Sequence, residues 1–279
     1  MKFAQFPSWW LSSKADGADA PQRHTLAELH WRDHRAAGIC ALLILIMLAT
    51  RLNEEVRAAR KAGKPAPDTV AVTWTELQTA VGHARATVGK GIMLLESWGV
   101  IKVRKVGRAN HYQLVRVHRP GDWCALPTTF PEKDGDAVSR FRDLPSTQLG
   151  LNALKLYVIL LARRSTTYNT ASLSFNGIIR WTGIRRADIR KAWGFLDGQQ
   201  LATVSTMRDS RHSKLGDDDQ SQRYAIIGLT RGYTKEDLDW AAIEKKSEEV
   251  LYRTGMPKGS SDSDKQGHDT EVTAFAQHL

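Results

Sequence analysis

Apolar residues in this chain switch between a helical and a strand-like period within one short region, residues 72–117. Trp74, Leu77 and Val81 share one helical face, and Val88, Ile92 and Leu95 share another. Gly82 separates the two runs and Gly99 ends the second, as glycine does where a helix closes in a left-handed turn. Thr73, with Glu76 three positions on, has the spacing of a reciprocal capping box for the first run. From Val100 the period drops to two, with Lys102, Arg104 and Lys105 set among Ile101, Val103 and Val106 as in a half-buried strand. Gly107, Arg108, Ala109 and Asn110 supply a turn, and residues 111–117 return. The pattern predicts helix, turn, helix and a two-stranded hairpin.

The pattern occurs twice. Leu173, Phe175, Ile178, Thr182 and Gly183 take the roles of Val72, Trp74, Leu77, Val81 and Gly82; Arg186, Ile189, Trp193, Leu196 and Val204 take those of Arg85, Val88, Ile92, Leu95 and Val103. Upstream, the apolar stretch from Gly150 through Ala153, Leu154, Leu156 and Tyr157 echoes that from Gly38 through Ala41, Leu42, Ile44 and Leu45. Further upstream, Phe141, Leu144 and Pro145 echo Phe3, Phe6 and Pro7. Length differences are expected in the loop before each helix-turn-helix and in the hairpin. The order resembles a winged helix, a module that binds DNA and also serves protein interaction. The fold expected is mainly α with small β wings (α+β): two tandem winged-helix domains related by an internal repeat.

Charge then separates partners. A formal net charge of +10 and a pI near 9.7 favour a polyanion, nucleic acid before membrane. The charge is also placed. Arg85, Thr87 and Lys90 face outward from the second helix of the first motif, with Lys102, Arg104, Lys105 and Arg108 on its hairpin. The second motif offers Arg185, Arg186, Arg190 and Lys191 on its helix and Arg208, Arg211 and Lys214 on a longer hairpin. A basic helix entering the major groove beside a hairpin on the backbone suits double-stranded DNA. Arg186 and Arg190, one turn apart, are the expected base readers, because an Arg fork can bond guanine twice. Arg190 paired with Asp188, or gripping phosphate, is the alternative.

The remaining stretches set boundaries. Residues 1–119 form the first expected domain, with an aromatic arm of Phe3, Phe6, Trp9 and Trp10 docked on it; a second subunit covering that arm, making a homodimer, is the alternative. A long helix is expected from Asp33 through residue 61. Residues 120–137, rich in proline and glycine, read as a linker, and residues 138–254 as the second domain ending in a C-terminal helix. Residues 255–279 have the composition of a disordered tail. The apolar run at 36–49 is too short to span a bilayer, which takes about 20 residues, and reads as a core helix rather than a membrane segment. Cys40 and Cys124 suggest no disulfide framework, and His30 and His34 find no third metal ligand.

No catalytic pattern stands out. Gly89-Lys90-Gly91 lacks the residues of a P-loop, and no histidine pair of the kind used by metal-dependent nicking enzymes is present. A non-enzymatic protein without cofactor is expected. The Phe3-to-Pro7 segment, hydrophobic helix and winged helix, repeated around Leu144-Pro-Ser-Thr-Gln-Leu-Gly-Leu-Asn-Ala-Leu-Lys-Leu-Tyr157, resembles the replication initiators of plasmids and other mobile elements over roughly residues 1–230. The resemblance implies theta-type initiation through repeated origin sequences, recruitment of a host helicase or primase, and a cytoplasmic, nucleoid- or plasmid-associated location. A tandem winged-helix transcriptional regulator of a mobile element is the alternative. A scaffold protein would call for uncharged second helices.

Overall fold

The computed structural model describes residues 3–11, 24–106, 109–128, 139–141, 144–165, 169–205 and 222–229. In chain order these form β1 (Phe3–Pro7), a 3₁₀ turn (Leu26–Glu28), α1 (Trp31–His34), α2 (Ala36–Lys61), β2 (Thr69–Val72), α3 (Trp74–Val81), α4 (Arg85–Ser97), β3 (Ile101–Val106), β4 (Ala109–Leu114) and β5 (Trp123–Pro127). A 3₁₀ turn (Ser139–Phe141), α5 (Gln148–Ala162), β6 (Thr170–Leu173), α6 (Phe175–Thr182), α7 (Arg186–Gly198), β7 (Ala202–Ser205) and β8 (Gln222–Ile226) follow. The architecture is mixed α+β, with small antiparallel sheets ordered β1-β5, β2-β4-β3 and β6-β8-β7.

Two helices hold the core. Every residue of α2 from Gly38 to Thr50 is buried, and so is every residue of α5 from Gly150 to Leu161. A helix apolar on all sides is stable in water only when other elements wrap it. Here α2 packs on α4, β1 and α5, while α5 packs on α7, α6 and β5. By length and composition α2 could cross a membrane, yet 78% of its apolar window is buried inside the protein. It is a core helix in this fold. Gly91 lets α4 approach α2 closely: a Cβ there would sit 3.0 Å from the Ala41 backbone nitrogen.

Around these helices several positions of the two halves correspond. Tyr112 on β4 lies between Val70 and Val103, and Tyr224 on β8 lies between Ala171 and Val204, the matching positions. Both tyrosines are buried. Thr73 Oγ1 accepts from the Glu76 amide as Ser174 Oγ accepts from the Gly177 amide. Gly82 and Gly183 close α3 and α6 at φ 68° and 65°, a left-handed conformation that a Cβ disfavours. After α4 and α7, Gly99 and Gln200 again share positive φ, and the Val100 and Leu201 amides donate back to the Leu95 and Leu196 carbonyls.

The structure also departs from the sequence reading. The long helix does not begin at Asp33: Arg35, at φ 45°, breaks it into α1 and α2. That corner brings His34 edge-on to Trp98, against which His24 stacks and Trp10 tilts. The length difference ahead of the helix-turn-helix lies chiefly in a helix rather than a loop. α2 has 26 residues and α5 has 15, so α2 runs on by about 16 Å at 1.5 Å per residue. Within the stretch read as a linker, Trp123–Pro127 is a strand paired with β1 from Phe3↔Pro127 to Pro7↔Trp123. Cys124, Ala125 and Leu126 are buried there, which gives a segment flanked by prolines the apolar contacts of a core strand. The Phe3 and Phe141 segments diverge, one a strand and the other a 3₁₀ turn. The expected C-terminal helix and tail lie outside the described residues.

Joining the halves are a few specific contacts. The Leu26–Glu28 turn packs on α6, and a Cβ on Gly183 would meet the Ala27 carbonyl oxygen at 2.8 Å. Lys155, 2% exposed in the middle of α5, donates from Nζ to the Leu29 carbonyl at 2.9 Å. Burial pulls its pKa down to about 8.

Candidate nucleic-acid interface

The capping box fixes where α3 starts. The Thr73 amide and hydroxyl both donate to Glu76 Oε2 at 2.8 Å, and these bonds hold the Glu76 carboxyl below its usual range. Val81, Gly82 and the turn then set α4 at an angle to α3. Burial holds His83, in that turn, below the usual imidazole range. Val88, Ile92 and Leu95 bury one face of α4, leaving Arg85, Ala86, Lys90 and Met93 exposed and Thr87 half-buried. Thr87, Lys90 and Met93 line one wall of an open groove whose other wall is the α1–α2 corner at Asp33, His34 and Arg35.

In the second half Ile189, Ala192 and Leu196 are buried, while Arg185, Arg190 and Lys191 are exposed and Arg186 is half-buried. Lys90 and Lys191 occupy matching outward places, and so do Arg85 and Arg186. Both of these arginines lie over the aromatic ring that opens the preceding helix: Arg85 5.2 Å from the Trp74 centroid, and Arg186 5.6 Å from Phe175. Arg190 also reaches Phe175, at 5.8 Å. Arg186 Nη1 donates to Asn176 Oδ1 at 3.2 Å. Asp188 takes Arg185 rather than Arg190, accepting from Nε and Nη2 at 2.8 Å. These guanidinium groups are therefore directed toward the start of α6 or along the helix. Sequence spacing placed Arg186 and Arg190 on the outer face but had no means of finding Phe175 and Asn176 beside them.

The first hairpin divides its basic residues between two faces. Lys102 and Arg104 sit beside Gln113 and His111 on the side away from the core, where Asp68 and Thr69 complete a shallow hollow. Lys105 alternates to the face of Val103, opposite Asn110, and all three cations are exposed. Arg108, Arg208, Arg211 and Lys214 lie outside the described residues. Arg116, just beyond β4, is engaged elsewhere. It donates twice to Asp122, at 2.7 and 3.1 Å, and lies 5.2 Å over Trp9. Trp9 Nε1 in turn donates to the Val115 carbonyl at 2.8 Å. These bonds fold the aromatic arm onto the first half and carry the chain from the hairpin into β5.

Among the described residues no group of three or more His, Cys, Asp or Glu side chains could hold a metal ion. His30 precedes α1 as its N-cap, and His34 packs against Trp98. Burial raises both thiols, Cys40 and Cys124, to about 12, so neither has the character of a nucleophile near neutral pH. No protein-family model matches the chain, and the search of curated proteins found no significant match.

Proposed function

We propose that this chain is a sequence-specific double-stranded DNA-binding protein, built on two winged-helix units, that acts as a theta-type replication initiator for a plasmid or other mobile element. The observation that carries the reading is the register-matched recurrence of helix, turn, helix and hairpin, with a lysine at the same outward place on both second helices (Lys90 and Lys191). A helix of this length with one buried face can lie in the major groove, which admits an α-helix. Lys102, Arg104 and Lys105 beside it supply the phosphate attraction that dominates affinity. Two units in one chain suit a site of more than one half. On this reading the protein binds rather than catalyses, works in the cytoplasm, and hands the opened origin to a host helicase or primase.

Footprinting with the full chain across the DNA flanking its gene tests the proposal. Protection of an iterated, AT-rich array supports initiation; protection of one inverted repeat alone favours the transcriptional regulator. The absence of any protected sequence sinks both. Lys102, Arg104 and Lys105 should behave as backbone contacts. Changing all three to Ala should shallow the log–log salt dependence by roughly 0.9 for each phosphate no longer neutralised, on cognate and scrambled duplexes alike.

A further inference from the structure

The two second helices match position by position, so their outward stripes can be compared directly. On α4 the stripe runs Ala86, Lys90, Met93; on α7 it runs Ala187, Lys191, Gly194, all of them exposed. The difference lies at the third place. Met93 is 68% exposed, the most of any large hydrophobic side chain among the described residues. It stands at the rim of the groove between α4 and the α1–α2 corner, with Lys90 one turn before it. The fold does not require it, since any good helix former would serve at an exposed helical site. On α7 the same place is bare, and a Cβ on Gly194 would meet nothing within 4 Å.

We propose that α4 reads A·T base pairs, with Met93 lying against thymine 5-methyl groups in the major groove and Lys90 beside it bonding base or phosphate acceptors. The inference rests on the DNA-binding reading above and names which helix discriminates and by what chemistry. The thymine methyl is the apolar group that base pairs present in the major groove, and methionine, unbranched and polarizable, adapts to such a surface. Charge complementarity favours DNA over a protein partner or a second copy of this chain. Lys90 lies one turn before the methionine and Arg85 about two turns before it, with Glu96 one turn beyond. The face leading up to Met93 is therefore cationic, and an apolar partner surface would have to desolvate those charges. It also reverses the balance expected from arginine content alone. The arginines of α7 lie over Phe175 or on Asp188, whereas the outward stripe of α4 carries a side chain with no structural duty.

The test uses the full chain. Selection from randomised duplexes gives a preferred site; each thymine in it is then replaced by deoxyuridine, which removes only the methyl group. Binding is read by fluorescence anisotropy at one salt concentration. For the wild type, one or two replacements should weaken binding about fourfold each, the transfer free energy of one buried carbon group. Met93→Ala should bind the thymine site correspondingly less well, be indifferent to those replacements, and keep its affinity for scrambled duplex. Its circular dichroism should be unchanged, because the side chain it loses is exposed. Equal deoxyuridine losses in wild type and Met93→Ala overturn the proposal, as does a wild type indifferent to every replacement. A change in oligomeric state in Met93→Ala without any change in deoxyuridine sensitivity also overturns it, in favour of a second copy. If selection yields no preferred duplex, the DNA reading itself has failed.

Discussion

Replacing Lys155 by methionine should stabilise the protein at neutral pH and destabilise it by pH 10. The lysine stem lies among the buried residues of α5, and its ammonium has the Leu29 carbonyl as hydrogen-bond acceptor at 2.9 Å. Burial lowers its pKa from 10.5 to about 8. Between those values the unfolded chain holds a proton that the folded chain has released, so stability rises as pH climbs from about 8 to 10.5. At pH 7 both states are protonated and the folded state carries the whole penalty, about 3 kcal/mol at 1.36 kcal/mol per pKa unit. Methionine has nearly the same shape and no charge. It removes that penalty but leaves the Leu29 carbonyl without this donor, a loss of about 1–3 kcal/mol. A net gain of about 1 kcal/mol at pH 7 is expected, as when a buried charge gives way to a packed apolar side chain. Urea denaturation of both proteins at pH 7 and pH 10 gives the stability gap directly. Titrating groups that do not interact with Lys155 cancel in the difference, and His34, which burial already holds below the usual imidazole range, stays neutral over most of that interval. The gap should fall by about 2–3 kcal/mol over that interval. A gap that does not move with pH would show that the ammonium is not desolvated in the folded protein, and that the packing of α5 against Leu29 is looser than the structure has it.

Gly82→Ala and Gly183→Ala place the same strain in the same kind of turn, about 1–2 kcal/mol for a left-handed residue with a Cβ. Only Gly183 also faces the Ala27 carbonyl, so Gly183→Ala should cost clearly more and should speed amide exchange across residues 24–34. Thr73→Ala should cost about 0.5–2 kcal/mol by removing the cap on α3, with amide exchange at the first turn of that helix as the local readout. Ellman's reagent at pH 8 should leave Cys40 and Cys124 unmodified until urea unfolds the chain, because burial holds both thiols protonated. Fast labelling in native buffer would refute that burial.

Local order was legible in the residues. Hydrophobic spacing found α3, α4, α6 and α7, and Thr73 with Glu76 marked a cap whose bonds are made. Gly82 and Gly183 marked turns that do take positive φ. Such signals act over a few residues, through backbone sterics and short-range hydrogen bonds, so a one-dimensional reading can recover them. The α5 core helix was visible for a related reason, since an unbroken apolar run has no solvent-facing side to offer. Contacts made over long separations were not legible. β5 reads as a proline-flanked linker until β1, more than a hundred residues earlier, pairs with it. Arg186 and Arg190 look free on a helical wheel until Phe175 and Asn176 are placed beside them by the angle between α6 and α7. Lys155 sits where an amphipathic reading would turn a charge toward water. Only the packing of α5 against the Leu29 segment closes off that water, because the environment of a side chain depends on which distant elements cover it.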